Sequence, residues 1–131
     1  MAKNPSHSMR TPLGRVRGLG SAKSGTTHWW MMRVTSVALL PLLLWFVFSI
    51  FGLLGASYAE ARAFVAAPVN AVLLLLLIGV MFHHMAHGLQ EVVEDYVRAE
   101  LPRLFSILLV KAACLLLALI SAFSVLRVAF T

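Results

Sequence analysis

Three long runs of apolar residues divide the chain, and polar segments separate them. Residues 34–59 contain no charged side chain, and further apolar runs follow, the third interrupted near its start by Lys111. Each run is long enough for a helix to cross a hydrocarbon core of ~30 Å, which takes about 20 residues. Backbone groups in lipid need partners within their own segment, and these runs lack the alternating polarity of barrel strands. The pattern predicts an all-α membrane protein with three transmembrane helices, at about 34–57, 69–89 and 104–126.

The polar segments complete this organisation. Residues 1–33 are basic, lack acidic side chains and are rich in Gly, Ser and Pro, which predicts little fixed structure before about Thr26. We therefore divide the chain into a basic N-terminal segment, 1–33, and a three-helix membrane domain, 34–131. Residues 58–68 are predicted to form a short loop, and 89–103 a polar turn or helix extension. The first apolar run is too long for the ~7–15-residue core of a cleaved signal peptide.

Composition agrees with a membrane protein and excludes other classes. Of 131 residues, 60% are hydrophobic and 12% are charged, whereas soluble domains have roughly 45–50% and 25%. A soluble globular enzyme and a disordered chain are both excluded. The net charge of +6 comes mainly from one end of the chain, without interleaved aromatic residues, so no nucleic-acid partner is predicted. The single cysteine, Cys114, allows no intrachain disulfide and no CxxC motif.

The basic residues also predict the orientation of the chain. Residues 1–33 contain six Lys and Arg residues, and Arg98 and Arg103 follow the second predicted span. The opposite side has only Arg62 and Arg127. Because loops rich in Lys and Arg stay on the inner side, the N-terminus and the second loop are predicted to face the cytoplasm, or the matrix of an organelle.

Three histidines mark the end of the second span, in the stretch MFHHMAHGLQEVVEDY, residues 81–96. A histidine at membrane depth suggests a functional site, and three interpretations are open. The imidazoles are hydrated or bonded to neighbouring helices at the interface, or one is a haem ligand, or His83 and His87, four residues apart, bind zinc or copper. Among haem candidates, His84 is favoured because Gly88 lies on the same helix face and lets a flat macrocycle or another helix approach.

Other polar residues near the same interface have structural explanations as well as functional ones. His28, Trp29, Trp30 and Arg33 are typical of an aromatic belt with basic anchors, or else of a polar pocket for a headgroup or quinone. Tyr96 fits the same belt, and the neighbouring acidic residues suit a solvated face. Small residues suited to helix–helix contact predict a partner subunit: Ser36, Ser49, Gly52, Gly55, Ser106, Ala112 and Ala113.

The spacing His84-x3-Gly88-x6-Asp95-Tyr96 resembles a known family. It is similar to that of the D-chain type of hydrophobic membrane anchor subunit of succinate dehydrogenase, the succinate:quinone oxidoreductase of respiratory complex II. Residues 20–42, GSAKSGTTHWWMMRVTSVALLPL, resemble the start of the first span in the same family. The chain length, the three spans and the inside N-terminus agree with it, so the resemblance covers nearly the whole chain.

The resemblance implies a bundle of six helices, built with a second anchor subunit of cytochrome b type. The two chains would share one haem b, with His84 as this chain's axial ligand to the iron. Tyr96 matches the tyrosine that hydrogen-bonds ubiquinone, with Asp95 beside it. The flavoprotein and iron–sulfur subunits would dock on the inner face and oxidise succinate, so this chain would not be catalytic by itself.

The implied location is the bacterial inner membrane, with the mitochondrial inner membrane as the second choice. Two other functions remain as alternatives. One is a non-haem structural subunit of another membrane complex. The other is a free-standing small transporter, although three spans without a charge at the midplane offer little for an ion path.

Overall fold

A computed structural model of the protein describes Thr11, Leu13 and residues 25–131. Residues 25–131 form four helices, α1 (Gly25–Gly52), α2 (Tyr58–Ala66), α3 (Pro68–Tyr96) and α4 (Glu100–Phe130), and contain no strand. The three long helices have 28, 29 and 31 residues and are apolar enough to cross a membrane. At 1.5 Å per residue each is roughly 42–46 Å long. The predicted all-α fold with three membrane-spanning helices is confirmed.

The central helix of the arrangement is α3. It packs against α1 and against α4, while the short α2 lies against α3 and α4. Within residues 25–131 the backbones of α1 and α4 do not approach each other closely, so the three long helices form an open arrangement. The side chains buried in it are few: Thr35, Leu39, Ala71, Leu74, Leu77 and Cys114. Most apolar side chains therefore face outward, where lipid or a partner's helices can cover them.

The first helix differs at both ends from the predicted span, 34–57. It begins at Gly25, because residues 25–33 continue the helix through the polar interfacial region. It ends at Gly52, and a turn follows in which Gly55 has a φ of 81°, a left-handed conformation that glycine adopts without steric cost. The prediction of little fixed structure before Thr26 concerns residues that lie, apart from Thr11, Leu13 and Gly25, outside the described part of the chain.

The predicted loop at 58–68 is wrong for most of its length, because Tyr58–Ala66 is helical. Ser57 and Glu60 form a capping box: the Ser57 N–H donates to Glu60 Oε2 at 2.7 Å, and the Glu60 N–H donates to Ser57 Oγ at 3.4 Å. This reciprocal pair satisfies free N–H groups at the start of α2. The hydrogen bonds from the Ser57 backbone and hydroxyl lower the pKa of Glu60, so the cap is lost only as the pH falls through that lowered pKa.

The helix α3 continues past the apolar run to Tyr96. Residues 89–96 are therefore a helix extension, and only residues 97–99 join α3 to α4. The following Pro102 lies in the first turn of α4, where its missing N–H leaves no helical hydrogen bond unmade. As a result, His84 and Tyr96 belong to one continuous helix.

Candidate functional site

Three contacts connect the beginning of α1 with the second half of α3. Thr35 Oγ1 lies 2.9 Å from His84 Nδ1, a Cβ at Gly88 would lie 3.9 Å from the Met32 methyl, and His28 Nδ1 lies 3.4 Å from Glu91 Oε1. Each step along α1 towards its N-terminus is matched by a step of about one turn along α3 towards its C-terminus. These antiparallel contacts form one line, which we call the α1–α3 polar seam: Thr35–His84, Met32–Gly88 and His28–Glu91.

Of the α3 residues in the polar seam, His84 lies farthest from the polar end of α3. Its Nδ1 atom contacts the hydroxyl of Thr35, which is itself buried, with 7% of its surface exposed. Among the described residues, this contact is the one hydrogen bond of the His84 ring, and none reaches its other nitrogen, Nε2. An imidazole that is held through Nδ1 and free at Nε2 has the arrangement that protein histidines use to bind metal centres.

Gly88 lies on the same face of α3 as His84, one turn further along. A Cβ at this position would meet only the terminal methyl of Met32, at 3.9 Å, which is an ordinary van der Waals distance. The face that the sequence marks as open thus has the first helix of the same chain beside it. The small residue gives room near His84, but space within this chain does not require it to be glycine.

The other two histidines of α3 have different surroundings. The ring of His87 lies 5.0 Å from that of His28 and 4.3 Å from that of His83, with the second pair edge to face. The Nδ1–H of His87 donates to the carbonyl oxygen of His83 at 2.9 Å. His83 lines a groove of about 290 Å³ between α3 and α4, next to Lys111 and Cys114. His83 and His84 therefore face different neighbouring helices.

The zinc or copper interpretation finds no ligand set in the described part of the chain. Residues 25–131, with Thr11 and Leu13, include no group of three His, Cys, Asp or Glu side chains placed to hold a metal ion. Zinc sites in proteins take at least three protein ligands. A single imidazole from one chain is, in contrast, all that one side of a haem requires.

A polar pocket lies at the end of the seam where α1 begins. A cavity of about 310 Å³ is lined by His28, Trp29, Met32, Arg33, Ser36 and Glu91. The guanidinium of Arg33 lies 4.1 Å from the centre of the Trp29 ring, a cation–π contact. His28 has a buried Nε2 atom that finds no hydrogen-bond partner among the described residues. The beginning of α1 thus combines a cation–π pair with an open pocket, while the aromatic belt and the ligand pocket both stay predictions.

Tyr96 and Asp95 are not brought together with the seam. Tyr96 is the last residue of α3 and has 84% of its surface exposed, and Asp95 is also exposed. Because the helix is continuous, Tyr96 lies about 18 Å along the axis from His84. Relative to the described residues, both side chains are exposed at the end of α3, where another subunit, lipid or a small molecule can contact them.

Two residues of the site, Thr35 and Glu91, were not identified from the sequence. Thr35 reads as a small residue in an apolar run, and Glu91 as part of a solvated face. The signal for Thr35 is its position, four residues before the buried Leu39 and therefore on the same side of α1. Its partner on α3, however, depends on the register of the two helices, which the sequence does not state.

Comparison with known proteins identifies the family of the chain. Residues 7–125 match the family described as succinate dehydrogenase/fumarate reductase transmembrane subunit. A succinate dehydrogenase hydrophobic membrane anchor subunit of Rickettsia typhi is 27% identical over 110 residues, 84% of this chain and 88% of the relative. One from Paracoccus denitrificans is 34% identical over 86 residues, 66% of this chain and 67% of the relative. A succinate dehydrogenase membrane anchor subunit of Reclinomonas americana is 26% identical over 92 residues, 68% and 77% of the two chains.

No solved structure matches the chain significantly. The family match nevertheless covers most of the sequence, and its transmembrane character agrees with the three long apolar helices. The relatives share the description of a membrane anchor, a subunit that is not catalytic alone. This chain therefore belongs to the family of succinate dehydrogenase and fumarate reductase transmembrane subunits, as a membrane anchor subunit.

Proposed function

We propose that the chain is one of two anchor subunits of a succinate:quinone oxidoreductase. In this role it tethers a flavoprotein and an iron–sulfur subunit to the membrane, contributes His84 as one axial ligand of a shared haem b, and forms part of a ubiquinone site through Tyr96 and Asp95. The names of its relatives support the anchor role. The finer roles rest on the geometry of the second half of α3.

The observation that carries the proposal is the environment of His84. Its Nδ1 is held by the buried Thr35, and no hydrogen bond to its Nε2 occurs within residues 25–131. A histidine in an apolar helix without a partner for one nitrogen is costly in lipid, and a metal centre removes that cost. His84 also sits in a span with no charged neighbour before Glu91 on the same helix, which suits a haem held between apolar helices.

The residues present fit a haem that is shared with a second chain. The chain offers one imidazole of suitable geometry, the open side of the helices leaves space for a partner, and Gly88 keeps the neighbouring turn small. A bound haem supplies a site that accepts and releases one electron at a time. His84 would hold it, and the apolar side chains around α3 would exclude water from it.

The proposed quinone site lies at the C-terminal end of α3, the helix that also carries His84. The phenol of Tyr96 is exposed, and its hydroxyl can donate a hydrogen bond to a quinone carbonyl. Asp95 is adjacent, and neighbouring helical residues point about 100° apart. Asp95 therefore points in a different direction from Tyr96. We propose that it orients the phenol or passes a proton, rather than contacting the quinone directly.

The proposed orientation puts the end of α3, the beginning of α4 and the N-terminus on the cytoplasmic side of a bacterial inner membrane. The eight-to-two distribution of Lys and Arg outside the apolar runs supports it. The dehydrogenase subunits then dock on the side where Tyr96 lies. A reporter fused after Thr131 is expected to be active only outside the cytoplasm, and activity inside would contradict this orientation.

Purification of the tagged chain from mild detergent tests the proposal as a whole. We expect mass spectrometry to find a flavoprotein, an iron–sulfur protein and a second three-helix membrane subunit in equal amounts. The dithionite-reduced complex should show the absorption bands of a b-type haem. A complete complex without haem absorption would refute the ligand role of His84 and leave a non-haem anchor, whereas a different set of partners would refute the proposed complex.

A further inference from the structure

We propose that Thr35 is a positioning residue that fixes the tautomer of His84, with the ring proton on Nδ1 and the lone pair of Nε2 left for iron. This inference rests on the proposed role of His84 as a haem ligand. Thr35 lies on α1 and His84 on α3, 49 residues apart in sequence. The contact therefore also connects the orientation of the imidazole to the packing of two helices.

The Thr35 hydroxyl has three close polar neighbours. Its oxygen lies 2.7 Å from the carbonyl oxygen of Met31, 3.1 Å from that of Met32 and 2.9 Å from Nδ1 of His84. Thr35 is the buried polar residue among those described, with 7% of its surface exposed. These distances are too short for water to intervene, so the hydroxyl itself must satisfy all three neighbours.

Counting the protons assigns the tautomer. A hydroxyl has one proton to donate and two lone pairs, and the two backbone carbonyls of α1 have no proton of their own. The proton of Thr35 must therefore point towards these carbonyls, mainly that of Met31, because an oxygen–oxygen distance of 2.7 Å without a proton is repulsive. The contact with His84 then needs a proton from the ring. Nδ1–H donates to the Thr35 oxygen, and Nε2 keeps its lone pair.

The opposite tautomer is disfavoured by the same geometry. If Nδ1 carried the lone pair, the Thr35 hydroxyl would have to donate its proton to Nδ1. The carbonyl oxygens of Met31 and Met32 would then face the lone pairs of the hydroxyl oxygen, which is repulsive. A hydrogen bond donated by the ring nitrogen that does not bind the metal fixes the ring and raises the basicity of the ligating nitrogen. A more basic ligand stabilises ferric iron relative to ferrous iron, so Thr35 should lower the reduction potential of the haem.

The adjacent hydroxyl provides a matched control. Ser36 donates to the Met32 carbonyl at 2.7 Å but is exposed, and no contact between it and His84 occurs within residues 25–131. Both side chains thus bond back to α1, and only Thr35 also reaches α3. A change at Ser36 tests the loss of a helix-bonded hydroxyl in general, whereas a change at Thr35 tests the contact with the imidazole.

The experiment compares Thr35→Val, Thr35→Ser and Ser36→Ala in the purified complex. The haem is followed by its content, by redox titration and by the electron paramagnetic resonance spectrum of its ferric form. Val keeps the shape of Thr and removes the hydroxyl, so we expect haem reduction to become easier by roughly threefold to tenfold, where tenfold is 59 mV for one electron. Its ferric spectrum should change, while Thr35→Ser and Ser36→Ala should match the wild type.

The outcomes separate this inference from the proposed function. If Thr35→Val has the wild-type potential and ferric spectrum while His84→Ala loses the haem, the ligand stands and the role of Thr35 is wrong. A shift in Thr35→Ser as large as in Thr35→Val would indicate packing and would also overturn it. If His84→Ala retains the haem spectrum, the ligand assignment and the inference fail together. Thr35→Ala provides a second hydroxyl-free variant if the valine complex does not assemble.

Discussion

The two halves of α3 hold the molecule together in different ways. Residues 68–79 bury Ala71, Leu74 and Leu77, spaced three apart on one side of the helix. Residues 80–96 bury no side chain to the same extent, yet they make the polar contacts of the seam with α1. The better-packed half is thus apolar, and the half that contains the candidate site is loosely packed and polar.

This difference follows from the membrane as a solvent. A leucine side chain gains little free energy by exchanging lipid contacts for contacts with another leucine. An apolar stripe therefore holds helices together by close packing without fixing a unique register. A polar contact such as Thr35–His84 can be made in one register only. The first half of α3 therefore stabilises the bundle by close packing. The second half sets the register of α1 against α3 and the orientation of the His84 ring.

The largest effect on stability is expected in the first half. Leu77 is 5% exposed and its neighbour Leu76 is 50% exposed. Leu77→Ala should destabilise the anchor by about 2 kcal/mol, roughly a thirtyfold change in the unfolding equilibrium, because it leaves a cavity between helices. The value is at the low end for Leu→Ala since lipid reduces the transfer contribution. Reversible unfolding in mixed detergent micelles measures it.

Leu76→Ala is the matched control for this prediction, because it removes the same atoms from a lipid-facing position. It should change the unfolding free energy little, and both variants should keep the wild-type haem spectrum. Equal destabilisation by the two substitutions would show that the buried stripe of α3 is not what holds the helices together.

A smaller effect, on activity rather than stability, is expected at the end of the second half. Tyr96→Phe keeps the ring and removes the hydroxyl that we propose to hydrogen-bond the quinone. Quinone reduction should fall by roughly tenfold, the scale of one hydrogen bond of about 1–2 kcal/mol. Succinate oxidation with an artificial acceptor that bypasses the membrane should continue at the wild-type rate. Unchanged quinone reduction in the variant would leave Tyr96 as an interfacial anchor only.

The long helices were predictable because their signal is local. An uncharged run of 20 or more residues specifies a membrane helix without reference to the rest of the chain, and the structure has one such helix for each run. The helix α2 was missed although its signal is also local. Ser57 and Glu60 have the spacing of a capping box, but few apolar residues follow, and the two charged residues nearby suggested a loop.

The contacts of the site were less predictable, because they join distant parts of the chain. The spacing of His84 and Gly88 correctly places both on one face, but nothing in the sequence states that this face lies against Met32 and Thr35. The pairing of His28 with Glu91 likewise depends on how α1 and α3 are aligned, which the sequence does not state. Tyr96 could be located along α3 by counting residues, and the structure adds that its side chain is exposed at the end of that helix.

The haem spectrum of three histidine variants tests the central claim most directly. His84, His83 and His87 lie within about one turn of α3, but only His84 contacts Thr35, while the rings of His83 and His87 meet edge to face. We expect His84→Ala to abolish or strongly alter the reduced b-type spectrum of the purified complex, and His83→Ala and His87→Ala to preserve it. An intact spectrum in His84→Ala, with loss in either neighbour, would contradict the account and move the ligand to that neighbour.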